Sequence, residues 1–309
     1  MQLVSGGASQ RLTEKIGAEL GVEPLRRELS RFPDGEIHVE LSGDVRDEDV
    51  YLVQSTGPPV QEHLAELILL ADAAYRAGAA RLNAVIPYLA YARQDRRTAP
   101  GEPVALRVVA DLLSASHVHR IVVVDPHTPD VESIFSVPVE TTTAVPDLAE
   151  ALAAALDGPA VLVAPDLGAA KLAEVYAAHL GLEVAIVRKT RVSGDEVQTT
   201  GLIGDVTGRT PVVIDDIVAT GGTIASAVRV LLDAGASAPV MVAATHCLLV
   251  GPAEERLSQV PIGRLWTTDS LVVEPRELTV EVISLAGRLA EVVRRLHAGE
   301  PLAELALHR

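Results

Sequence analysis

The residues best suited to chemistry form one stretch in the second half of the chain, residues 212–223. A β-branched run typical of a buried parallel strand leads into two adjacent carboxylates, a Thr-Gly-Gly-Thr loop and an amphipathic helix. Glycines let the backbone approach a phosphate closely, and the N–H groups at a helix start point towards it. The carboxylates are placed to accept hydrogen bonds from vicinal sugar hydroxyls. The stretch predicts a ribose-phosphate cradle made of Asp215, Asp216, Ala219, Thr220, Gly221, Gly222 and Thr223.

This loop differs from the two common nucleotide-binding loops. It lacks the Gly-Lys-Ser/Thr ending of a Walker loop, and it is not a GxGxxG loop. The alternative interpretation is a tight turn with an acidic rim. Two adjacent carboxylates repel each other unless a cation or a hydroxyl lies between them, which favours the cradle.

A second segment whose residue types suit ligand binding follows a predicted strand. It is Tyr-Ala-Arg-Gln-Asp-Arg-Arg at residues 91–97. It places three arginines within five residues of an acidic protein. Planar guanidinium groups bind polyphosphate through paired hydrogen bonds. The segment therefore indicates a polyphosphate contact, and a solvated charged loop is the alternative.

A third segment, residues 188–200, is polar and is predicted to be a mobile loop. Its first residues, Arg-Lys-Thr-Arg, include Lys189 and Arg191. A cationic pair on a mobile loop suits a lid that closes over a transferred phosphoryl group and excludes water. An ordinary β-hairpin with exposed charges is the alternative.

Two single residues at predicted strand ends, His127 and Asp166, are candidate metal ligands. One imidazole and one carboxylate make an open site, which suits Mg²⁺ because that ion keeps waters and substrate phosphates among its ligands. The pair is too sparse for structural zinc. For His127 a purely structural role is the alternative.

The elements that must position these residues alternate as strand and helix through both halves of the chain. This order, with short connections, predicts two doubly wound parallel sheets, in which ligands collect at the carboxyl ends of the strands. The boundary is predicted near residues 143–146, giving domains 1–144 and 145–309. The last predicted helix, residues 285–296, can pack on either half.

Composition excludes several classes of protein. The net charge of −16 argues against general nucleic-acid binding. Charges interrupt every apolar run well before about 18 residues, so no membrane span is predicted. The first residues lack a secretory signal, and the single cysteine, Cys247, excludes an intramolecular disulfide. We therefore expect a cytoplasmic protein.

Taken together, the stretches resemble the ribose-phosphate diphosphokinase (phosphoribosyl-diphosphate synthetase) family, in order from about Leu3 to Glu300. The cradle by itself also occurs in phosphoribosyltransferases. Arg-Phe-Pro-Asp-Gly-Glu at residues 31–36 and Tyr-Ala-Arg-Gln-Asp at residues 91–95 are specific to the diphosphokinases. The resemblance implies an α/β fold of two similar doubly wound parallel-sheet domains of the type I phosphoribosyltransferase kind.

The resemblance also implies an activity, its substrates and its cofactor. The expected enzyme transfers the β,γ-diphosphoryl group of MgATP to the anomeric hydroxyl of ribose 5-phosphate, and it self-associates with the ATP site at a subunit interface. A non-catalytic regulatory homologue and a phosphoribosyltransferase are the alternatives. Ala219 is a departure, because many members carry aspartate there.

The resemblance carries site residues over by position. Lys189 is expected to be catalytic, with Arg191 as its partner and as a further ribose 5-phosphate contact beside the cradle. His127 and Asp166 are expected to bind Mg²⁺. The expected ATP contacts are Phe32, Asp34, Gly35, Glu36, Arg93, Gln94, Asp95 and His127.

Overall fold

The structure is a computed structural model that describes residues 1–193, 196–275 and 277–306; the side chains of residues 189–193 and 196–200 lie outside the description. The chain divides into two compact units. Unit 1 comprises Met1–Thr143, Ser270–Val272 and Ser284–Leu307, and unit 2 comprises mainly Ala144–Asp269 and Val273–Ile283. None of the described helices is both long enough and apolar enough to cross a membrane.

Unit 1 is built on a five-stranded parallel sheet in the order β1-β4-β5-β6-β7. The strands of this sheet are β1 (Gln2–Ser5), β4 (Asp49–Val53), β5 (Arg81–Ile86), β6 (Arg120–Val124) and β7 (Val139–Thr142). An antiparallel hairpin of β2 (Arg27–Arg31) and β3 (Ile37–Leu41) accompanies the sheet. The helices of the unit are α1 (Gln10–Leu20), α2 (Val60–Arg76), α3 (Ala105–Ala115), α4 (Val131–Ile134) and α9 (Ala286–Ala298), and Gly7–Ser9 and Ala303–Leu305 form 3-10 turns.

The core of unit 1 is mainly aliphatic because, after a polar first residue, the central strands β4, β5 and β6 are mostly apolar. Every residue of β4 is buried, as expected for a parallel strand covered on both faces. The last helix, α9, packs against α1 in this unit. His297 on α9 and Arg81 on β5 both bind the buried carboxylate of Asp49, with His297 Nδ1 2.8 Å from Asp49 Oδ2.

Unit 2 is built on a seven-stranded sheet in the order β10-β9-β8-β11-β12-β13-β14, in which only the β9–β10 pair is antiparallel. Its strands are β8 (Ala160–Ala164), β9 (Val184–Ser193), β10 (Glu196–Ile203), β11 (Thr210–Val218), β12 (Val240–Cys247), β13 (Ile262–Thr268) and β14 (Val280–Ile283). Its helices are α5 (Val145–Ala155), α6 (Ala170–Leu180), α7 (Gly222–Asp233) and α8 (Ala253–Ser258).

One sequence prediction was wrong. A loop was expected at residues 188–200, but its described residues 188–193 and 196–200 belong to the antiparallel strands β9 and β10, whose backbone pairs Lys189 with Thr199. The alternating β-branched residues, such as Val192 and Val197, favour extended backbone although the segment is polar. The parallel partner β8 holds the first arm of the hairpin in the sheet.

Candidate active site

The predicted phosphate cradle lies where β11 passes into α7, at the carboxyl edge of the unit 2 sheet. Gly221 has a φ of 72°, a left-handed conformation that reverses the chain just before the helix. Within the described residues, the N–H groups of Gly222, Thr223 and Ile224 donate no hydrogen bond. Successive unsatisfied N–H groups at a helix start form an anion-binding concavity. The loop therefore presents N–H groups that suit an anion, as the predicted phosphate site requires.

Gly221 and Gly222 differ in the space available for a side chain. A methyl group built on Gly221 would lie 2.9 Å from Leu257 Cγ and 3.1 Å from the Ala253 carbonyl oxygen of α8. A methyl group on Gly222 would meet only Nη1 of Arg256, at 3.8 Å, and Oγ1 of Thr220, at 4.0 Å. Gly221 thus allows α8 to pack against the loop, whereas Gly222 faces the open cradle.

Three carboxylates gather beside the cradle. Asp215 and Asp216 lie on β11 just beyond its last pair with β8, Val213 with Val163, and Asp166 follows the end of β8. Burial, reinforced by the negative charges of Asp216 and then Asp166, raises the pKa of Asp215 well above the usual carboxyl value. The cluster therefore favours a hydroxyl-rich or cationic ligand that relieves this repulsion.

The donor set fits magnesium only as a partly substrate-bound ion. No group of three His, Cys, Asp or Glu side chains in the described part of the chain is arranged to hold a metal by itself. Asp166 offers a hard oxygen ligand, and its orientation is fixed because Oδ1 accepts the N–H groups of Gly168 and Ala169 at 3.0 and 3.3 Å. An ion here would take most of its ligands from phosphates and water. His127 belongs to unit 1, so its pairing with Asp166 stays a prediction.

In unit 1, the turn between β2 and β3 carries the residues predicted to contact ATP. The turn is closed by hydrogen bonds from the Phe32 N–H to the Glu36 carbonyl and from the Gly35 N–H to the Phe32 carbonyl, both 2.9 Å long. Asp34 Oδ1 accepts the Glu36 N–H at 3.1 Å, and Gly35 has a φ of 95°. The backbone of the turn is therefore ordered without any ligand.

Phe32 is not a hydrophobic plug under this turn. Its side chain is 49% exposed, and its nearest aromatic neighbour is His38, edge-on at 5.5 Å between ring centroids. An exposed phenyl ring on a rigid turn offers a flat surface for stacking.

The other two predicted segments of unit 1 follow β5 and β6, at the carboxyl edge of the sheet. Arg93 and Gln94 are exposed and Asp95 is partly buried after β5, whereas His127 is exposed after β6. Both segments begin at a non-glycine residue in a left-handed conformation, Tyr91 with a φ of 63° and Asp125 with a φ of 37°. Such backbone strain is concentrated at functional sites.

The first turn of α2 joins the two candidate ATP segments, which the sequence did not reveal. Glu62 forms an ion pair with Arg31 at the base of the Phe32 turn. The neighbouring Gln61 donates a hydrogen bond of 3.2 Å to the hydroxyl of Tyr91. Residues far apart in sequence therefore share one support.

Lys189 and Arg191 both lie on β9, two residues apart. Their side chains lie outside the described part of the structure. Their assignment as catalytic residues stays a prediction.

Sequence reasoning also missed Arg256. It lies on α8, beyond the strand that follows α7, and its Nη1 donates a hydrogen bond of 3.2 Å to the carbonyl oxygen of Thr220 in the cradle. No local motif marks this residue, because the contact depends on how α8 packs under the loop.

The two halves of the chain match two different domains of known proteins. Residues 1–116 match the N-terminal domain of ribose phosphate pyrophosphokinase, and residues 142–267 match the phosphoribosyl transferase domain. The chain is 37% identical to the ribose-phosphate pyrophosphokinase of Caldanaerobacter subterraneus over 99% of its length and 97% of the relative's. It is 34% identical to that of Aquifex aeolicus, over 99% of its length and 98% of the relative's.

A solved structure shows the same fold. The phosphoribosylpyrophosphate synthetase of Mycobacterium smegmatis superposes with a TM-score of 0.90 at 34% identity, covering 96% of this chain and 99% of the other. Both units are thus accounted for by one family along the whole chain. The chain belongs to the ribose-phosphate pyrophosphokinase family.

Proposed function

We propose that the chain is a ribose-phosphate diphosphokinase that converts MgATP and ribose 5-phosphate to 5-phosphoribosyl 1-diphosphate and AMP. One observation carries the proposal: a glycine loop with open N–H groups at the start of α7 occurs in the same chain as a unit that matches the N-terminal domain of the pyrophosphokinases. A phosphoribosyltransferase needs the cradle but not the other unit.

In the proposed reaction the anomeric oxygen of ribose 5-phosphate attacks the β-phosphorus of ATP. The bond from that phosphorus to the oxygen bridging the α-phosphate breaks, AMP leaves with the bridging oxygen, and the anomeric hydroxyl releases its proton. Catalysis of such a transfer depends mainly on positioning and on stabilising charge.

The residues of unit 2 are assigned to the sugar phosphate. The N–H groups and hydroxyls of residues 219–223 would bind the 5′-phosphate, and Asp215 and Asp216 would bind the ribose hydroxyls. The raised pKa of Asp215 supports this role, since hydroxyl donors would stabilise a buried carboxylate that has the negative charges of Asp216 and Asp166 beside it. Lys189 and Arg191 are assigned the role of stabilising the negative charge that develops on the transferred diphosphoryl group.

The residues of unit 1 are assigned to ATP. Phe32 would stack on the adenine, and Asp34, Gly35, Glu36, Arg93, Gln94, Asp95 and His127 complete the proposed contacts. We infer that the hairpin serves the ATP site of a neighbouring subunit, so the active form is at least a dimer. We place the enzyme in the cytoplasm, with residues 1–144 as the ATP side and 145–309 as the ribose 5-phosphate side.

His127 and Asp166 would hold Mg²⁺. When bound, the ion would neutralise phosphate charge and orient the diphosphate for transfer. Because Asp166 is already oriented by two backbone amides, it would need no rearrangement to bind.

The direct test incubates the purified protein with Mg²⁺, ATP, ribose 5-phosphate and inorganic phosphate as a candidate activator, and separates the products by ion-exchange chromatography. Equal amounts of AMP and 5-phosphoribosyl 1-diphosphate are expected. Absence of both products would favour a regulatory homologue, and transfer of the ribosyl group to a nucleobase would favour a phosphoribosyltransferase.

The variant Lys189→Ala tests the catalytic assignment. It is expected to lower turnover by orders of magnitude without altering the melting temperature, because its charge acts mainly in the transition state. Lys171→Ala is the matched control, since Lys171 is an exposed lysine on α6 of the same unit. Equal turnover of Lys189→Ala and wild type would remove Lys189 from the mechanism.

A further inference from the structure

The orientation of the peptide between Thr220 and Gly221 determines whether the cradle can bind a phosphate. In a trans peptide the C=O and N–H groups point in opposite directions. The Thr220 carbonyl faces α8, where it accepts the hydrogen bond from Arg256 Nη1 at 3.2 Å. The N–H of Gly221 consequently points away from α8, towards the concavity that the next N–H groups of the loop form.

Arg256 is also placed to act electrostatically. In the part of the chain that the structure describes, no carboxylate lies within ion-pair distance of its guanidinium group. Its Nη1 borders the open side of Gly222, 3.8 Å from the position of a methyl group on that residue. The side chain therefore brings a positive charge to a loop flanked by the acidic residues Asp215 and Asp216.

The packing of α8 makes this placement specific. Leu257 and the Ala253 carbonyl press against the Gly221 backbone so closely that a methyl group there would be 2.9 and 3.1 Å from them. Leu257 is fully buried, which anchors the helix turn that carries its neighbour Arg256. The packing of α8 thus fixes the position of Arg256 relative to the loop.

We propose that Arg256 is a positioning residue for the 5′-phosphate of ribose 5-phosphate: it holds the Thr220–Gly221 peptide so that the loop presents its N–H groups to the phosphate. This inference rests on the proposed function of the cradle. Without the guanidinium group, the Thr220 carbonyl can rotate towards the phosphate, where its partial negative charge would repel the anion.

The test measures binding of ribose 5-phosphate, in the absence of ATP, to wild type and to Arg256→Met, Arg256→Lys and Arg229→Met by calorimetry. Arg229 is an exposed arginine on α7 and serves as the matched control. We expect Arg256→Met to weaken binding by about ten-fold or more, the effect of a hydrogen bond to a charged group. Arg256→Lys should recover part of the loss, and Arg229→Met should bind as wild type does.

Steady-state kinetics supply the second readout. The KM for ribose 5-phosphate should rise in Arg256→Met while the KM for ATP stays unchanged. Equal losses for both substrates, or binding equal to that of wild type, would overturn the role of Arg256. If Arg256→Met does not fold, the same comparison is made with Arg256→Gln, which keeps a neutral N–H donor and should bind more weakly than Arg256→Lys.

The outcomes separate this inference from the function on which it rests. Failure of the wild-type protein to bind ribose 5-phosphate would refute the proposed function. Wild-type binding that Arg256→Met leaves unchanged would refute only the positioning role.

Discussion

Replacing Gly222 by alanine should stabilise the free protein and impair its function. Gly222 is the first residue of α7, its φ is not in the left-handed region, and an added methyl group meets no atom closer than 3.8 Å. Replacing glycine by alanine where the backbone conformation suits both stabilises a protein by about 0.4–1 kcal/mol, because it lowers the conformational entropy of the unfolded chain. For a unit of this size, that gain corresponds to a rise in melting temperature of about 1–4 °C.

The same methyl group would occupy the phosphate cradle. It would lie between Arg256 and the Thr220 hydroxyl, on the side where the loop N–H groups are open. A displaced phosphate would lose one or two charge-assisted hydrogen bonds of about 1.5–3 kcal/mol each. We therefore expect kcat/KM for ribose 5-phosphate to fall by at least about ten-fold, the effect of losing one such bond of about 1.5 kcal/mol.

Gly221→Ala is the matched comparison, because its methyl group would clash with Leu257 and would sit on a residue with positive φ. This variant should lose both stability and activity. Thermal unfolding of the ligand-free proteins, followed by steady-state assays, distinguishes the two. A Gly222→Ala protein that melts below wild type, or that retains full kcat/KM, would refute the assignment of the open side of the loop to the phosphate.

Three further perturbations test other parts of the molecule. Asp215→Asn should raise the KM for ribose 5-phosphate more than that for ATP. Because the pKa of Asp215 is raised, its ionisation destabilises the ligand-free fold, so the variant should have a higher melting temperature than wild type at neutral pH. This difference in melting temperature should vanish below the usual carboxyl pKa. A selective effect on ATP would show that the substrates are assigned to the wrong units. Phe32→Ala should weaken the binding of ATP and leave that of ribose 5-phosphate unchanged. Mixing Phe32→Ala chains with Lys189→Ala chains should partly restore activity if the turn serves a neighbouring subunit. No recovery of activity after subunit exchange, confirmed by mass, would contradict a shared site. Asp49→Asn should lower the free energy of unfolding by about 1–3 kcal/mol at pH 7. Since the hydrogen bond from Arg81 lowers the pKa of Asp49, the stabilisation is present above the usual carboxyl pKa and is lost as the pH falls through the lowered value. The denaturation curves of wild type and variant should therefore converge in acid.

The acidic cluster and the glycine loop share a thermodynamic feature. Asp215 is held beside two other carboxylates, and Gly222 occupies a helical position that alanine would fill better. In both places the ligand-free fold is less stable than it could be. Such local costs are expected where a site is organised for a ligand and not for the empty protein.

The sequence by itself determined the features that depend on neighbouring residues. The glycine loop with its adjacent carboxylates lies within one strand-turn-helix segment, so local conformational preferences fix its shape. The alternation of strands and helices gave the parallel-sheet class in the same way. The Phe32 turn was also recognisable, because proline, aspartate and glycine close it within a few residues.

Tertiary structure alone decided the contacts between distant segments. The bond from Arg256 to Thr220 joins α8 to the cradle, and the first turn of α2 joins the Phe32 turn to Tyr91. The polarity of residues 188–200 predicts a loop, yet the described residues 188–193 and 196–200 pair as strands at the edge of the sheet. Local sequence encodes backbone preference and periodicity, whereas strand order and helix packing determine which distant side chains meet, and no spacing along the chain records them.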